Sequence, residues 1–221
     1  MKKKTLTIAI ALVLVVALAV GATYAYLAAT TKEVTNTFAV GTILKDDGKF
    51  VLKEHKSTYD SETGKYTIAE NAEEVDGNPY SSVAPKMVVA KDPFVRINTE
   101  VTTPAYLYVE VVDATAAGAL NYAPDGSNWK QLKNGDAAVK GAHGGDVYYY
   151  VTADAADGKV VTGDYSTTPL TVNILKDKQV TIGESVTADT FVKGSGDTLT
   201  FYAYLYQQVG FTTPLQAFLA K

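Results

Sequence analysis

The chain consists of many short segments in which hydrophobic and polar residues alternate, and each such segment predicts a β-strand with one buried face. Gly, Asp, Asn and Pro separate the segments, and these residues favour turns. The pattern is typical of a β-sandwich or barrel and differs from that of repeated strand–helix units. Strands are predicted at residues 34–41, 50–52, 105–112, 147–151, 170–174, 180–182 and 199–206.

Two of these segments have faces of contrasting chemistry. In 105–112, three aliphatic residues alternate with two tyrosines and Glu110. In 199–206, aliphatic and aromatic residues alternate with a face that carries three tyrosines. These tyrosines are Tyr202, Tyr204 and Tyr206. They either lie beneath a covering loop or form an exposed surface that could stack on a sugar or polymer.

The regions between the clear strands give weaker signals. Pro85 and Pro93 lack an amide donor, which places them at strand starts or on a sheet edge. The segment 53–79 is polar and predicts a long loop or a hairpin insertion, within which 69–75 could form a short helix. Trp129 is expected to pack in the core.

A short helix is predicted at the carboxyl end. Thr213 offers an N-cap and Pro214 fits the first helical position. Gln216 lies three residues after the cap, which is the capping-box spacing. Three apolar side chains would dock the helix on the sheets, namely those of Leu215, Phe218 and Leu219.

The amino terminus has the three parts of a secretion signal. Three lysines at positions 2 to 4 precede an uncharged apolar run over 6–20, and small residues stand at the two positions that signal peptidase recognises. Cleavage is therefore predicted between Ala25 and Tyr26, although small residues between 19 and 22 offer alternative sites. The other interpretation is an uncleaved anchor, but a membrane span needs about 20 apolar residues and this run has about 15.

Length, charge and cysteine content narrow the class of protein. The chain has 221 residues, so a single domain over 26–221 is expected after cleavage. The net charge is −4, and removal of 1–25, with its three lysines and no acidic residue, changes it to −7. An acidic chain is not expected to bind nucleic acid or anionic lipid. The absence of cysteine excludes disulfides, thiol catalysis and thiolate metal sites.

The sequence lacks the common catalytic motifs. Helical zinc hydrolases have two histidines four residues apart with a glutamate between them, whereas this chain has only His55 and His143, in stretches that predict exposed loops. The Gly-x-Ser-x-Gly elbow of serine hydrolases is also missing. We therefore expect no enzyme activity, no catalytic residue, no bound metal and no cofactor. A structural calcium ion is an open alternative, with oxygen ligands from Asp125, Asp154 and Asp157.

Four separated blocks of sequence occur in an order that matches a known family. They are 23–27 with 36–41, 83–95 with 106–109, Trp129 with 147–151, and 200–211. The first block carries Thr-Tyr-Ala-Tyr-Leu and Asn-Thr-Phe-Ala-Val-Gly, and the second carries Val-x-Pro, Lys-Asp-Pro-x-Val and Tyr-x-x-Val. The third is a single Trp before a Tyr-rich strand, and the fourth is Thr-x-x-Ala-Tyr-x-x-Gln before Gly-Phe. With these blocks the chain resembles the TasA, CalY and camelysin group of proteins, which Gram-positive bacteria export.

The resemblance implies a fold and a function. Members of the TasA group are jelly-roll sandwiches that assemble into extracellular biofilm-matrix fibres, so we expect an all-β, two-sheet antiparallel jelly-roll-like sandwich with a few short helices in loops and at the carboxyl end. A dedicated signal peptidase cuts such chains at the equivalent of the bond between Ala25 and Tyr26. The expected location is the extracellular matrix or the cell surface of a Gram-positive bacterium, and the expected partners are further copies, related matrix proteins and, during export, the signal peptidase.

The resemblance also assigns a role to the freed amino terminus. In the fibres of this group, each subunit inserts that segment as a strand into the next subunit. The candidate donor strand consists of Tyr26, Leu27, Ala28, Ala29, Thr30 and Thr31. The other interpretation of these residues is a frayed terminus. Two other classes of function stay open, an adhesin or carbohydrate-binding module at the cell surface and a camelysin-type metalloprotease that would use His55 or His143.

Overall fold

A computed structural model describes residues 42–187 and 198–221, in which the chain forms sixteen strands, one α-helix and two short 3₁₀ turns. The strands are β1 (Phe50–His55), β2 (Ser57–Asp60), β3 (Lys65–Ile68), β4 (Glu74–Val75), β5 (Val88–Ala90), β6 (Phe94–Ile97), β7 (Glu100–Asp113), β8 (Leu120–Asn121), β9 (Trp129–Gln131), β10 (Lys133–Asn134), β11 (Ala137–Ala138), β12 (Asp146–Tyr150), β13 (Val160–Asp164), β14 (Leu170–Asn173), β15 (Gln179–Ile182) and β16 (Leu199–Gln207). The helix is α1 (Pro214–Leu219), and the 3₁₀ turns are Asp47–Lys49 and Lys176–Lys178.

The predicted all-β class is confirmed, whereas the described residues form four sheets instead of two. The β7 sheet contains β13, β7, β12, β9 and β16, and the β6 sheet has the order β14-β6-β1-β4. The β5 sheet has the order β2-β3-β5-β15-β8, and β10 pairs with β11. Among the described strands, all the pairs are antiparallel except β3 with β5. The extra sheets arise because short segments that the alternation pattern did not identify also form strands.

The longest strand, β7, organises the β7 sheet. It pairs along one edge with β16 and along the other with β12 and then β13. Its aliphatic face, predicted from the alternation, is buried in a cluster that also holds Val95 and Ile97 of β6. Trp129 lies in the same cluster and donates its Nε1–H to the Asn173 carbonyl at 2.7 Å. The β7 and β6 sheets therefore share one core, and the prediction of a buried Trp129 is confirmed.

The opposite face of β7 is covered by the carboxyl-terminal helix. The Tyr108 ring contacts the Phe218 ring at 5.3 Å, and its hydroxyl donates to the Pro214 carbonyl at 2.8 Å. Thr213 caps α1 as predicted, since its Oγ1 accepts from the Gln216 amide at 3.3 Å. The prediction that Leu219 docks the helix is wrong, because this residue is 58% exposed.

The polar segment 53–79 forms strands. It contains the end of β1, the β2–β3 hairpin and β4, so the hairpin interpretation is confirmed and the long loop is wrong. The short helix at 69–75 is also wrong, because Glu74 and Val75 pair with β1. Arg96 fixes this pairing with two hydrogen bonds to the Glu74 carboxylate, at 2.7 and 3.0 Å. Both prolines take the predicted places, Pro85 in a turn before β5 and Pro93 immediately before β6.

Several predictions concern residues outside the described ranges. They are the signal peptide 1–25, the donor segment 26–31 and the strand at 34–41. All described residues fall in one compact unit, 41–221. Among them, no helix has the length and apolar character that a membrane span requires.

Candidate functional site

A large groove lies between β1 and β16. It has a volume of about 1350 Å³, and its walls come from β1, β5, β15, β16 and the loop 76–85. Most of the lining side chains are apolar; they include Leu52, Val89, Val180, Ile182 and Phe201. The volume exceeds that of an ordinary small-molecule site, which is about 300 to 1000 Å³, so the groove has room for a segment of polypeptide.

Both strands that border the groove have an edge without a strand partner in the described part of the chain. β16 pairs with β7 over nine residues and with no other described strand. Residues 50–53 of β1 pair with β6 on one side, and β4 reaches only Glu54 and His55 on the other. Backbone groups along such edges can pair with a further strand. The groove therefore combines an apolar floor with two edges that are suited to strand addition.

An ion pair lies in the wall of the groove. The Lys91 Nζ donates to the Glu54 Oε2 at 2.8 Å, and the two side chains are 12% and 4% exposed. The Asn78 amide donates to the other Glu54 oxygen at 2.6 Å. The Lys91 ammonium also lies 5.4 Å from the centre of the Tyr80 ring and 5.7 Å from that of Phe201. Burial, together with the charge of Glu54, raises the pKa of Tyr80, so its phenol stays neutral and donates to the Ala90 carbonyl.

His55 is held by a buried carboxylate, so the prediction of an exposed loop histidine is wrong. It ends β1, and its Nδ1 lies 2.7 Å from the Asp92 Oδ2 while its amide donates to Oδ1 at 2.9 Å. Both residues line a shallow pocket of about 460 Å³ together with Glu70 and Lys178. The interaction connects β1 to the residues between β5 and β6.

His143 lies on an exposed turn, as predicted, and is paired with the buried carboxylate of Glu110 in β7. Glu110 accepts from the amides of His143 and Gly145 at 2.9 and 2.8 Å and from the Tyr204 hydroxyl at 2.7 Å. The His143 Nδ1 lies 3.2 Å from the same carboxylate. Burial by itself would raise the pKa of Glu110, but these hydrogen bonds outweigh it and lower the pKa below its ordinary value. Gly141 completes the fit, because a Cβ there would overlap the carboxyl group.

The tyrosine face of β16 is covered by intramolecular contacts. The Tyr202 ring stacks on the His143 ring with centres 3.6 Å apart. The Tyr206 ring contacts those of Tyr108 and Phe218 at 5.5 Å each. The first interpretation of this face, tyrosines beneath a covering loop, therefore describes the structure, and the cover consists of the 141–145 turn and α1.

The candidate metal ligands do not come together. Within 42–187 and 198–221, no three His, Cys, Asp or Glu side chains converge on one point. Asp125 accepts from the Ser127 amide in its own turn, and Asp154 accepts from Lys159 at 3.0 Å. Asp157 is exposed beside Lys130. The two histidines occupy separate clusters, in which His55 contacts Asp92 and His143 contacts Glu110.

Sequence reasoning missed the Glu54–Lys91 pair and the role of Glu110. Glu110 did carry a signal, because it is an isolated acidic residue within an apolar strand and such a residue needs buried partners. Nothing in the sequence indicated that Glu54 and Lys91 are buried, since both residues lie in polar stretches that are typical of a surface. No protein-family model, curated protein or solved structure matches the chain.

Proposed function

We propose that this chain is a secreted structural protein, a subunit of extracellular biofilm-matrix fibres that assemble by donation of the amino-terminal strand. The observation that carries the proposal is the groove whose two bordering strands, β1 and β16, each lack a strand partner on one edge among the described residues. The resemblance to the TasA group supplies the donor, Tyr26 to Thr31, and the signal peptidase that frees it.

The physical basis is the addition of a strand to an open edge. The backbone of the donor from one copy pairs with the edge of β16 or β1 in the next, and alternate side chains, with Leu27 as the largest aliphatic one, enter the apolar groove. The added strand fills the groove between β1 and β16 and so completes the jelly-roll sandwich that we propose for the assembled subunit. A head-to-tail contact of this kind does not close on itself, so it produces a filament.

Cleavage of the signal peptide acts as the switch in this proposal. A segment that is still attached to the membrane-bound signal cannot enter another subunit, and cutting before Tyr26 releases it. The role requires no catalytic residue, and partners are limited to further copies and related matrix proteins at the surface or in the matrix of a Gram-positive bacterium. His55 and His143 are then structural residues.

Electron microscopy of two purified proteins tests the proposal. One begins at Tyr26, and the other carries a tag fused ahead of that residue; circular dichroism confirms that both are folded. We expect filaments only from the protein with the free terminus. Discrete particles in both samples would refute strand donation and favour a surface-binding module. Chelator-sensitive cleavage of a protein substrate that is lost on replacing His55 or His143 would instead indicate a metalloprotease.

A further inference from the structure

The Lys91 ammonium has more hydrogen-bond donors than the described residues satisfy. An ammonium group carries three N–H bonds. One is directed at Glu54, and the faces of the Tyr80 and Phe201 rings attract the charge without accepting a conventional hydrogen bond. Among the described residues Lys91 Nζ has no other hydrogen-bond acceptor. The group lines the groove, so water can satisfy the other donors while the groove is open.

Filling the groove changes how the Lys91 donors are satisfied. A segment that enters removes the water, and the spare Lys91 donors then need an acceptor from the segment itself, because buried donors without partners are strongly unfavourable. The charge of the acceptor is also restricted. Lys91 and Glu54 neutralise each other, so an incoming carboxylate would approach Glu54 and an incoming ammonium would approach Lys91, each at a desolvated site.

We propose that Lys91 determines which segment the groove accepts, by donating a hydrogen bond to an uncharged oxygen of the incoming strand. The acceptor is a main-chain carbonyl or a hydroxyl group. This inference rests on the proposed function and adds the chemical class of the occupant, an uncharged strand that presents oxygen at Lys91. The candidate donor Tyr26 to Thr31 fits this class beyond its first backbone nitrogen, since its side chains are aromatic, aliphatic or hydroxyl. Its one charge is the α-ammonium that cleavage creates at Tyr26, so the segment that faces Lys91 consists of the residues after Tyr26.

The test compares a double variant of the groove pair with the same substitutions at a surface pair. Lys91→Met with Glu54→Gln removes the ammonium donors and leaves no buried charge. Lys45→Met with Glu100→Gln is the matched control, because Lys45 and Glu100 form an exposed ion pair with 3.4 Å between Nζ and Oε2. All proteins begin at Tyr26, and the readout is the critical concentration for fibre formation, measured by sedimentation.

We expect the groove variant to raise the critical concentration about tenfold or more, because the oxygen of the incoming strand is left as one unsatisfied buried acceptor, and the control to leave it unchanged. Glu54→Gln alone retains the ammonium donors, so its critical concentration should stay close to that of the wild type even if its thermal stability falls. An equal rise in Glu54→Gln would show that the ion pair matters and the donors do not, which contradicts the inference.

Two further outcomes separate this inference from the proposed function. Equal critical concentrations in the wild type and the double variant overturn the inference and leave the fibre function intact. Absence of fibres from the wild-type protein overturns both. Should circular dichroism show that the double variant is unfolded, Lys91→Leu with Glu54→Leu replaces it, because apolar residues of similar volume often substitute for a buried ion pair without loss of stability.

Discussion

The Tyr204 hydroxyl donates a hydrogen bond to the buried carboxylate of Glu110 at 2.7 Å, and this contact joins β16 to β7 on the face that the 141–145 turn covers. The same carboxylate accepts from the amides of His143 and Gly145. One acidic side chain therefore holds a strand and a turn in place. Because β16 also borders the groove, the stability of this cluster affects the proposed site of strand addition.

Replacing Glu110 by Gln should lower the free energy of unfolding by about 3 kcal/mol, because the amide of Gln would face the amides of His143 and Gly145 and leave buried donors unsatisfied. Urea unfolding measures the change. Glu184→Gln is the matched control, since Glu184 forms an exposed ion pair with Lys86, and it should change the stability by less than about 0.5 kcal/mol. Equal stabilities for the two variants would contradict the structural role of Glu110.

The contribution of Glu110 should depend on pH with a defined sign. Its pKa is lowered in the folded protein from an ordinary value of 4.5. The unfolded chain therefore binds the proton first, so the stabilisation is complete above this value and is lost as the pH falls through the lower, folded-state pKa. The difference in stability between wild type and Glu110→Gln should shrink from pH 7 to pH 3. A difference that stays constant or grows on acidification would contradict this prediction.

Gly141 should not tolerate a side chain. A Cβ there would overlap the Glu110 carboxyl group, whereas at Gly126 it would meet nothing within 4 Å. We expect Gly141→Ala to lower the melting temperature, with a loss of about 2 kcal/mol from overpacking. Gly126→Ala should stay within about 0.5 kcal/mol of the wild type. Similar melting temperatures for both variants would show that the turn can move off Glu110.

The carboxyl-terminal helix should depend on one of two neighbouring apolar residues. Phe218 is buried against Tyr108, and Leu219 is largely exposed. Phe218→Ala should cost about 4 kcal/mol in chemical unfolding because it leaves a cavity. Leu219→Ala should cost less than about 0.5 kcal/mol. A larger loss of stability for Leu219→Ala than for Phe218→Ala would mean that α1 docks through its other face.

Deletion of residues 26–31 from the protein that begins at Tyr26 should leave a folded monomer that forms no fibres. In the proposed fibre this segment completes the next subunit and not its own, so the circular dichroism spectrum should not change. A second variant, in which a Gly/Ser segment replaces the same six residues, keeps the chain length and should also fail to assemble. Fibres from either variant under electron microscopy would rule out this segment as the donor.

Much of the fold was predictable from local pattern. The two faces of 105–112 and of 199–206 follow from alternation, because successive side chains of a strand point to opposite sides. The cap of α1 follows from Thr213 and its spacing to Gln216. Strands such as β4, β10 and β13 were not predicted, since short strands gain their stability from a partner strand and not from their own composition.

By itself the sequence determined the all-β class, the strands of contrasting faces and the capped helix, because each depends on residues a few positions apart. Only the tertiary structure decided which polar residues meet. Glu54 and Lys91 are separated by 37 positions and Glu110 and Tyr204 by 94. A carboxylate on an isolated strand has no preferred partner, and only the burial of that strand within a sheet forces it to find one. For the same reason both histidines lie against buried acids, although His143 lies on an exposed turn as predicted.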